Sequence, residues 1–527
     1  MSSNTISNII SRKGYLIEKS SLTNKQLAKI KKDLTVQPIL KNNFGKKPEK
    51  FSVFLENDKK ICIPKFYGLE EFGQPDKIIE PKYKKINVKF NGELKGRQIE
   101  PYNKTIEGLL NKGGGVLSIP CGWGKTVLGL KLICDLGVKT LVIVHKTFLV
   151  NQWKERIQQF IPNAKIGIIQ QNEIDIEDKD IVIGMVQSIS MKEYNKDVFG
   201  DFGFVICDEV HRISSKIFSR ALPKTSTKYT LGLSATPYRD DGLSKIFHWY
   251  LGDMLFKGVQ GYNKSVIVKC FNFTSKHPKF KDVINKFTKK ASNSTMITNL
   301  TEIPKRNDFI LDILKLILSE QDNEIKRQIL VLSDRIKHLE LLKKNLDETK
   351  ICTTGFYIGK MKEHELKESS DKDVIFGTYP MASEGLDIPS LNVVILSTPK
   401  SKITQSVGRI LRKESSEINP LVIDIIDSLS VFKGQGYKRR SFYKSKKYKT
   451  EFYDVSDGTI INVGPGKNKK NDDIPNLKTI MTIDTQLIDQ ESDSDKNDSE
   501  DINDGFVSSD NDNDMGDNDN NNNDNII

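Results

Sequence analysis

The sequence has few cysteines, and none of them forms a CxxC pair. Only six occur in 527 residues: Cys62, Cys121, Cys134, Cys207, Cys270 and Cys352. Scattered single cysteines argue against both a disulfide framework and a zinc knuckle. We therefore expect an intracellular protein from a reducing compartment, in the cytoplasm or the nucleus.

Long apolar runs are also missing. No segment approaches the roughly 18 consecutive apolar residues that a membrane span requires, and the first 20 residues hold no signal-peptide core. Hydrophobic residues make up 37% of the chain and charged residues 28%. A chain of 527 residues is too long for one core, so the sequence predicts a soluble protein of several domains with no membrane partner.

The charge is divided unevenly along the chain. From Asn471 onward there are 17 acidic residues and two lysines, and since the whole chain carries +12, the first 470 residues carry +27. Such an excess suits a polyanionic partner such as nucleic acid, although solubility alone would also explain it. The Asn- and Asp-rich segment 463–527 is predicted to be a disordered acidic tail, either merely solvated or acting as an arm that competes for the basic surface or recruits a partner.

The remaining chain divides by its pattern of apolar residues. Residues 1–93 are lysine-rich with short β-like pieces and predict a small mixed accessory domain. Short apolar runs then alternate with amphipathic helices, which is typical of βαβ units. The predicted fold is α/β, with two tandem parallel-sheet domains at 94–255 and 301–462 and a hinge at 256–300.

The most informative segment is GGVLSIPCGWGKT, residues 114–126. Here a predicted strand leads through glycines into a helix, an arrangement that points backbone N–H groups at phosphate oxygens. Lys125 would reach the β- and γ-phosphates of a nucleotide, and the Thr126 hydroxyl would hold Mg²⁺. The predicted phosphate loop consists of Ile119, Pro120, Cys121, Gly122, Trp123, Gly124, Lys125 and Thr126, with Ile119 replacing the usual Gly or Ala.

A second strand-like run, FVICDEVH, ends in two adjacent carboxylates. In a parallel sheet, Asp208 and Glu209 would lie at the carboxyl edge beside the phosphate loop. Asp208 could then order the metal's water shell, while Glu209 orients or deprotonates the attacking water.

Four motifs together resemble those of superfamily 2 helicases. PCGWGKT, DEVH, LGLSATPYRDDG (231–242) and QSVGRILR (405–412) are similar to motifs I, II, III and VI, in the right order across about 94–430. The RDD triplet after SATP is similar to an element of the XPB-like branch. FSVFLE, the ICIPKFYGL segment and YIGKMK look like helicases of large DNA viruses, including the poxvirus transcript-release helicase. The resemblance implies two RecA-like domains, ATP hydrolysis with Mg²⁺, and a place in an infected cell or a virion.

The resemblance also implies roles for single residues on the nucleotide side. Arg409 and Arg412 would be arginine fingers from the second domain, and Gln405 would contact the γ-phosphate or the attacking water. Gly385 and Asp387 would lie near the ribose, and Gln98 would read the adenine edge. Ser234, Ala235 and Thr236 would link the nucleotide state to the second domain.

On the nucleic-acid side, the resemblance implies a track that grips the backbone without reading sequence. Its candidate contacts are Thr147, Gln187, Ser188, Ser333 and Thr378. The basic, aromatic stretch 437–453 either clasps nucleic acid or is a lysine-coated helix whose tyrosines pack inward. We expect a monomer that acts on DNA or RNA, with transcription or repair proteins as further partners.

Two alternatives to a strand-separating helicase stay open at this point. One is a double-stranded DNA translocase that unwinds nothing. The other is a non-catalytic clamp with a decayed ATP site, although Lys125, Thr126, Asp208 and Glu209 are all present in this chain.

Overall fold

The structure of the chain is a computed structural model. It describes residues 8–39, 48–80, 82–120, 122–195, 197–213, 215–225, 227–236, 238–239, 241–258, 266–319, 321, 326–384, 388–408, 419–464 and 475–481. Cys121, Gly385, Asp387, Arg409 and Arg412 lie outside these residues, as does the chain after Met481, so the predictions made for them stay predictions.

The N-terminal region combines short strands with two α-helices. Its helix α1 begins with a capping box, in which the Thr23 hydroxyl accepts from the Gln26 backbone N–H and the Gln26 side chain accepts from that of Thr23. Five of its strands form one sheet in the order β5-β6-β2-β1-β7, and β3 pairs with β4. The elements are β1 Asn8–Ser11, β2 Gly14–Glu18, α1 Asn24–Asp33, β3 Thr35–Val36, β4 Phe51–Ser52, β5 Leu55–Glu56, β6 Lys60–Ile63, α2 Lys65–Phe72 and β7 Lys77–Ile78.

The first RecA-like domain is built on an eight-stranded sheet in the order β11-β10-β12-β9-β13-β14-β8-β15. Its central strands are short, fully buried apolar runs, as parallel strands covered on both faces require. All neighbouring pairs are parallel except β10 with β11. The elements are α3 Gly96–Lys112, β8 Gly114–Ser118, α4 Lys125–Leu136, β9 Thr140–Val144, α5 Thr147–Phe160, β10 Ile166–Gln170, β11 Glu173–Asp175, β12 Ile181–Met185, α6 Val186–Met191, β13 Phe204–Cys207, α7 Ser215–Ala221, β14 Tyr229–Ser234, α8 Ser244–Leu251 and β15 Met254–Lys257.

The second RecA-like domain has its own eight-stranded sheet, in the order β18-β19-β17-β20-β21-β16-β22-β23. Among the described strands of this sheet, only β22 and β23 pair antiparallel. The elements are β16 Ile267–Thr274, α9 Asn293–Thr301, α10 Pro304–Ser319, β17 Gln328–Ser333, α11 Ile336–Asp347, β18 Thr354–Tyr357, α12 Glu363–Ser370, β19 Val374–Thr378, α13 Tyr379–Glu384, β20 Leu391–Leu396, α14 Thr404–Val407, β21 Leu421–Asp427, α15 Ser430–Ser445, β22 Lys449–Ser456, β23 Thr459–Val463 and α16 Leu477–Met481.

Two predicted boundaries are wrong. The interval 256–300 is not a hinge, because β16 lies inside the second sheet and pairs with both β21 and β22. The predicted tail likewise does not begin at 463, because α16 packs its Ile480 and Met481 into the core of the second domain. The run IVKCFNFT of β16 has the apolar residues of a buried strand, and α16 is buried by elements far away in the chain, including α10.

The stretch 437–453 forms the end of α15 and most of β22. Most of its aromatic residues pack inward, whereas Tyr437 is 71% exposed. Tyr443 and Tyr448 are buried in the second domain, and the Tyr443 hydroxyl donates to Asp424 at 3.0 Å. Arg439 is buried as well and its Nε donates to both Asp424 oxygens, at 3.0 and 2.9 Å. The lysine-coated helix is therefore the alternative that the structure supports.

The N-terminal region and the first RecA-like domain share one hydrophobic core. Tyr15, Ile61 and Tyr67 belong to the same buried cluster as Phe247 and Trp249. The rings of Tyr67 and Trp249 meet edge to face, with centroids 5.4 Å apart. The accessory domain is thus fixed to the helices on one face of the first sheet. In the part of the chain that the structure describes, no helix combines the length and the apolar character of a membrane span.

Candidate active site and nucleic-acid track

The phosphate loop leaves β8 at the carboxyl edge of the first sheet and enters α4 at Lys125. Gly122 and Gly124 have φ values of +84° and +80°, a left-handed conformation that glycine adopts without steric cost. Ile119 is fully buried, and its N–H donates to the Ser234 carbonyl at 3.1 Å. The loop is thereby held to β14, and its glycine positions suit the close approach of phosphate oxygens.

Gln98 supports this loop from α3. Its Oε1 accepts from the Lys95 N–H and its Nε2 donates to the Trp123 carbonyl, both at 2.8 Å. A Cβ added at Gly124 would lie 2.4 Å from the Gln98 Nε2, so the two residues pack closely. Arg97 donates to the Gly122 carbonyl at 3.2 Å and lies over the Trp123 ring. The oxygen and the nitrogen of the Gln98 side-chain amide thus both form hydrogen bonds with backbone groups. Its predicted contact with the adenine base stays a prediction.

The two predicted carboxylates lie beside the loop. Glu209 Oε1 is 3.4 Å from the Lys125 ammonium. Asp208 is buried; its Oδ2 accepts from the Trp153 indole N–H and its Oδ1 from the Glu209 N–H, both at 2.9 Å. Burial, aided by the negative charge of Glu209, raises the pKa of Asp208 to about 6. Glu209 has a φ of +46°, in the left-handed region that non-glycine residues rarely adopt.

The predicted coupling segment meets the acid pair through a histidine. Ser234 Oγ lies 2.8 Å from His211 Nδ1 and accepts from the Thr236 N–H at 3.1 Å. Burial lowers the pKa of His211 to about 4, so the ring is neutral at pH 7. Ala235 lies between the two hydroxyl residues in the same turn. His211 Nδ1 also lies 3.5 Å from Glu209 Oε2, so the predicted coupling residue Ser234 is linked to the acid pair within the first domain.

Three residues of this site carried no role in the sequence analysis. Trp153 orients Asp208, His211 bonds Ser234, and Arg239 ties the loop after the acid pair by donating to the His211 carbonyl at 3.3 Å and to that of Ile213. Arg239 also pairs with Asp241 at 2.7 Å. All stand within or beside the motifs, but their contacts depend on which strands are neighbours.

The candidate nucleic-acid residues of the first domain converge at the same sheet edge. Thr147 opens α5 after β9, and Gln187 and Ser188 open α6 after the neighbouring β12. The Gln187 amide donates to the His145 carbonyl at 2.9 Å, and Ser188 Oγ accepts from the Gln171 N–H at 2.8 Å. They form one polar surface of hydroxyls and amides, suited to contacting a phosphodiester backbone.

In the second domain the candidates differ in accessibility. Ser333 and Thr378 are register partners at the carboxyl ends of β17 and β19. Thr378 is half-buried, whereas Ser333 is fully buried and its hydroxyl lies 3.1 Å from His338 Nδ1. The side chain of Ser333 cannot reach a ligand here, so its predicted contact with nucleic acid is not supported. Gln405 lies in α14, at the carboxyl edge after β20.

The donors at this site fit a metal that is held jointly with a nucleotide. Among the residues described, no group of three His, Cys, Asp or Glu side chains could bind a metal alone. Mg²⁺ favours one or two protein oxygens together with phosphates and water. The Thr126 hydroxyl and the Asp208 carboxylate, at the mouth of the phosphate loop, supply such oxygens.

Comparison with known proteins gives consistent results for both domains. Residues 91–239 match the family described as "Type III restriction enzyme, res subunit", and residues 307–414 match "Helicase conserved C-terminal domain". The L396 protein of Acanthamoeba polyphaga mimivirus, whose name describes an ATP-dependent RNA helicase, is 42% identical over 464 residues, 86% of this chain and 88% of that protein.

More distant relatives also come from large DNA viruses. Helicase 161L of Invertebrate iridescent virus 6 is 28% identical and covers 69% of this chain and 83% of its own length. The QP509L protein of African swine fever virus, also named for an ATP-dependent RNA helicase, is 26% identical and covers 67% of this chain and 72% of its own length.

Proposed function

Because this chain belongs to the superfamily 2 helicases and is an ATP-dependent helicase with viral relatives, we propose that it couples Mg²⁺-dependent ATP hydrolysis to movement along a nucleic-acid backbone. The observation that carries this proposal is the meeting of Lys125, Asp208 and Glu209 at one sheet edge, with Lys125 and Glu209 3.4 Å apart. A phosphate-binding cation, a metal-holding carboxylate and a base stand together there.

Each residue has a separate task in the proposed mechanism. Lys125 binds the β- and γ-phosphates, and Glu209 orients the attacking water and accepts its proton. Thr126 and Asp208 would hold Mg²⁺, which when bound offsets charge on the phosphate oxygens. By resemblance, Arg409 and Arg412 would reach the γ-phosphate from the second domain, so that closure of the two domains completes the site.

Two substitutions test this mechanism. Lys125→Ala and Glu209→Gln should each lower phosphate release in the presence of nucleic acid by at least about 100-fold, since each removes a group that acts on the transition state. Glu209→Gln should still bind ATP. Lys131→Ala is the matched control, because Lys131 lies on the same helix and pairs with Asp135. Turnover near that of the unchanged protein in either active-site variant would contradict the mechanism.

We propose that the grip on nucleic acid is independent of sequence and formed by Thr147, Gln187, Ser188 and Thr378. The names of the mimivirus and African swine fever virus relatives suggest RNA, and the basic character of the chain suits RNA and DNA equally. ATPase stimulation by single-stranded DNA, duplex DNA and RNA at one stated salt concentration identifies the substrate. Strand displacement measured beside triplex displacement separates a helicase from a double-stranded DNA translocase.

We also propose an intracellular site of action, either in an infected cell or in the virion, with transcription or repair proteins as partners. The five cysteines that the structure describes are all free thiols, which suits a reducing compartment.

A further inference from the structure

A basic groove runs between the N-terminal region and the helices α6 and α7 of the first domain. We define it by Lys13, Lys50, Phe51, Phe54, Met191 and Arg220, which line a cavity of about 950 Å³. The cavity is open to solvent on the protein surface. Part of its lining comes from the FSVFLE segment (51–56), for which the sequence predicts no role.

Cations dominate the lining of this basic groove. Five basic side chains and one acidic side chain line it: Lys13, Lys50, Lys216, Arg220, Lys224 and Glu193. Lys13, Lys50 and Arg220 are exposed and form no ion pair with any carboxylate in the part of the chain that the structure describes. Lys216 pairs only with the highly exposed Glu49, at 3.2 Å. Three cations are therefore available to an anionic ligand.

The groove continues the nucleic-acid surface of the first domain. Helix α6 carries Gln187 and Ser188 in its first turn, at the sheet edge, and ends with Ser190 and Met191 in the groove wall. Its six residues span only about 9 Å, the length of about three phosphates of one strand in a duplex. A backbone lying on Ser188 would therefore reach the groove within a few nucleotides.

The junction between the two surfaces is held by Lys224. Its ammonium donates to the backbone carbonyls of Ile189, Ser190 and Lys192, at 3.3, 3.4 and 2.7 Å. The cation thus satisfies carbonyls at the end of α6, where the helix leaves them without partners. The end of α6 is consequently fixed between the sheet edge and the groove.

The apolar part of the lining favours a single strand. Phe51 and Phe54 are half-buried, while Leu55 is 59% and Met191 79% exposed. Bases of a single strand can stack on such side chains while cations neutralise the phosphates. We propose that the basic groove is an extension of the nucleic-acid track that binds a single-stranded segment through its phosphates, which gives the N-terminal region a role in substrate binding. This inference rests on the proposed function.

The test reverses two of the available cations. Lys50→Glu with Arg220→Glu should weaken binding of a labelled single-stranded oligonucleotide about tenfold or more and reduce the salt slope of log K by about 1.4, since each phosphate contact contributes about 0.7. The control, Lys104→Glu with Lys344→Glu, makes the same change in net charge at exposed positions outside the groove. The ATPase rate without nucleic acid should be the same in both variants.

The outcomes separate the two proposals. If the unchanged protein neither binds nucleic acid nor is stimulated by it, the proposed function fails. If it binds and the groove variant keeps the control's affinity and salt slope, only the groove inference fails, and an acidic protein partner becomes the better occupant. The neutral variant Lys50→Gln with Arg220→Gln should show a smaller loss of oligonucleotide affinity than the charge-reversed variant. This variant keeps the inference testable if the charge-reversed variant fails to fold.

Discussion

At the scale of the residue, Trp153 has the most consequential contact that the motifs do not predict. It lies on α5, the helix that begins with Thr147, and its indole N–H donates to Asp208 at 2.9 Å. A Cβ added at Gly129, on the phosphate-loop helix, would come within 3.2 Å of the indole ring. One side chain on α5 therefore packs against the phosphate-loop helix and bonds Asp208, the proposed metal ligand.

Trp153→Phe tests this contact, because it keeps an aromatic ring and removes the N–H. A hydrogen bond to a charged acceptor contributes about 1.5–3 kcal/mol, so we expect ATP turnover to fall about tenfold or more. The Mg²⁺ concentration for half-maximal nucleotide binding should rise, as measured with a fluorescent ADP analogue. Trp249→Phe, in the core shared with the N-terminal region, is the control. An unchanged Mg²⁺ dependence in Trp153→Phe would refute the orienting role.

The sequence predicted most of the candidate site residues but not the hydrogen bonds that position their side chains. Lys125, Asp208 and Glu209 were predicted from their residue types and spacing, and they meet as expected. Gln98 and Ser333 were predicted from residue type and motif position, yet Gln98 is engaged by Trp123, distant in sequence, and Ser333 by the buried His338. Motif spacing does not contain that information, because hydrogen-bond partners depend on the order of strands and the packing of helices.

At the scale of the element, three parts of the second domain are joined through one buried histidine. His338 on α11 lies 3.1 Å from Ser333 Oγ at the end of β17 and 3.1 Å from Asn307 Oδ1 on α10. Burial lowers the pKa of His338 to about 3. The ring is therefore neutral in the folded protein, and its two nitrogens join a strand to two helices.

This burial predicts a loss of stability in acid. The unfolded histidine binds a proton below about pH 6.5, whereas the folded one resists protonation down to about pH 3. The contribution of His338 to the free energy of unfolding is therefore complete above pH 6.5 and is lost as the pH falls. The loss amounts to about 2 kcal/mol between pH 7 and 5. This loss of stability is measured by hydrogen exchange of peptides from β17 and α11 as a function of pH. His338→Gln should remove this pH dependence, and equal pH dependence in both proteins would contradict the assignment.

At the scale of the whole molecule, the N-terminal region and the first RecA-like domain form one folding unit. Their apolar side chains belong to a single buried cluster, and the Tyr250 hydroxyl of α8 donates to the Val53 carbonyl at 3.0 Å. We therefore expect the two parts to unfold together. Trp123, Trp153 and Trp249 all lie in the first domain, so tryptophan fluorescence reports its unfolding.

Tyr67→Ala tests this cooperativity. Truncating a buried aromatic side chain costs about 3–5 kcal/mol, and here the loss should move the entire fluorescence transition to lower urea concentration. Ile78→Ala, at a position that is 56% exposed, should leave the transition in place. A fluorescence transition unmoved by Tyr67→Ala would show that the N-terminal region unfolds on its own.

The sequence alone determined the α/β class, the tandem domains and the phosphate loop, because these follow from local apolar periodicity and from residue types in fixed order. Only the tertiary structure decided that β16 completes the second sheet, that Phe432 and Tyr443 of α15 pack inward, and that a basic groove lies beside α6. Those features depend on contacts between residues far apart in the chain. The local sequence pattern does not specify which surfaces pack against each other.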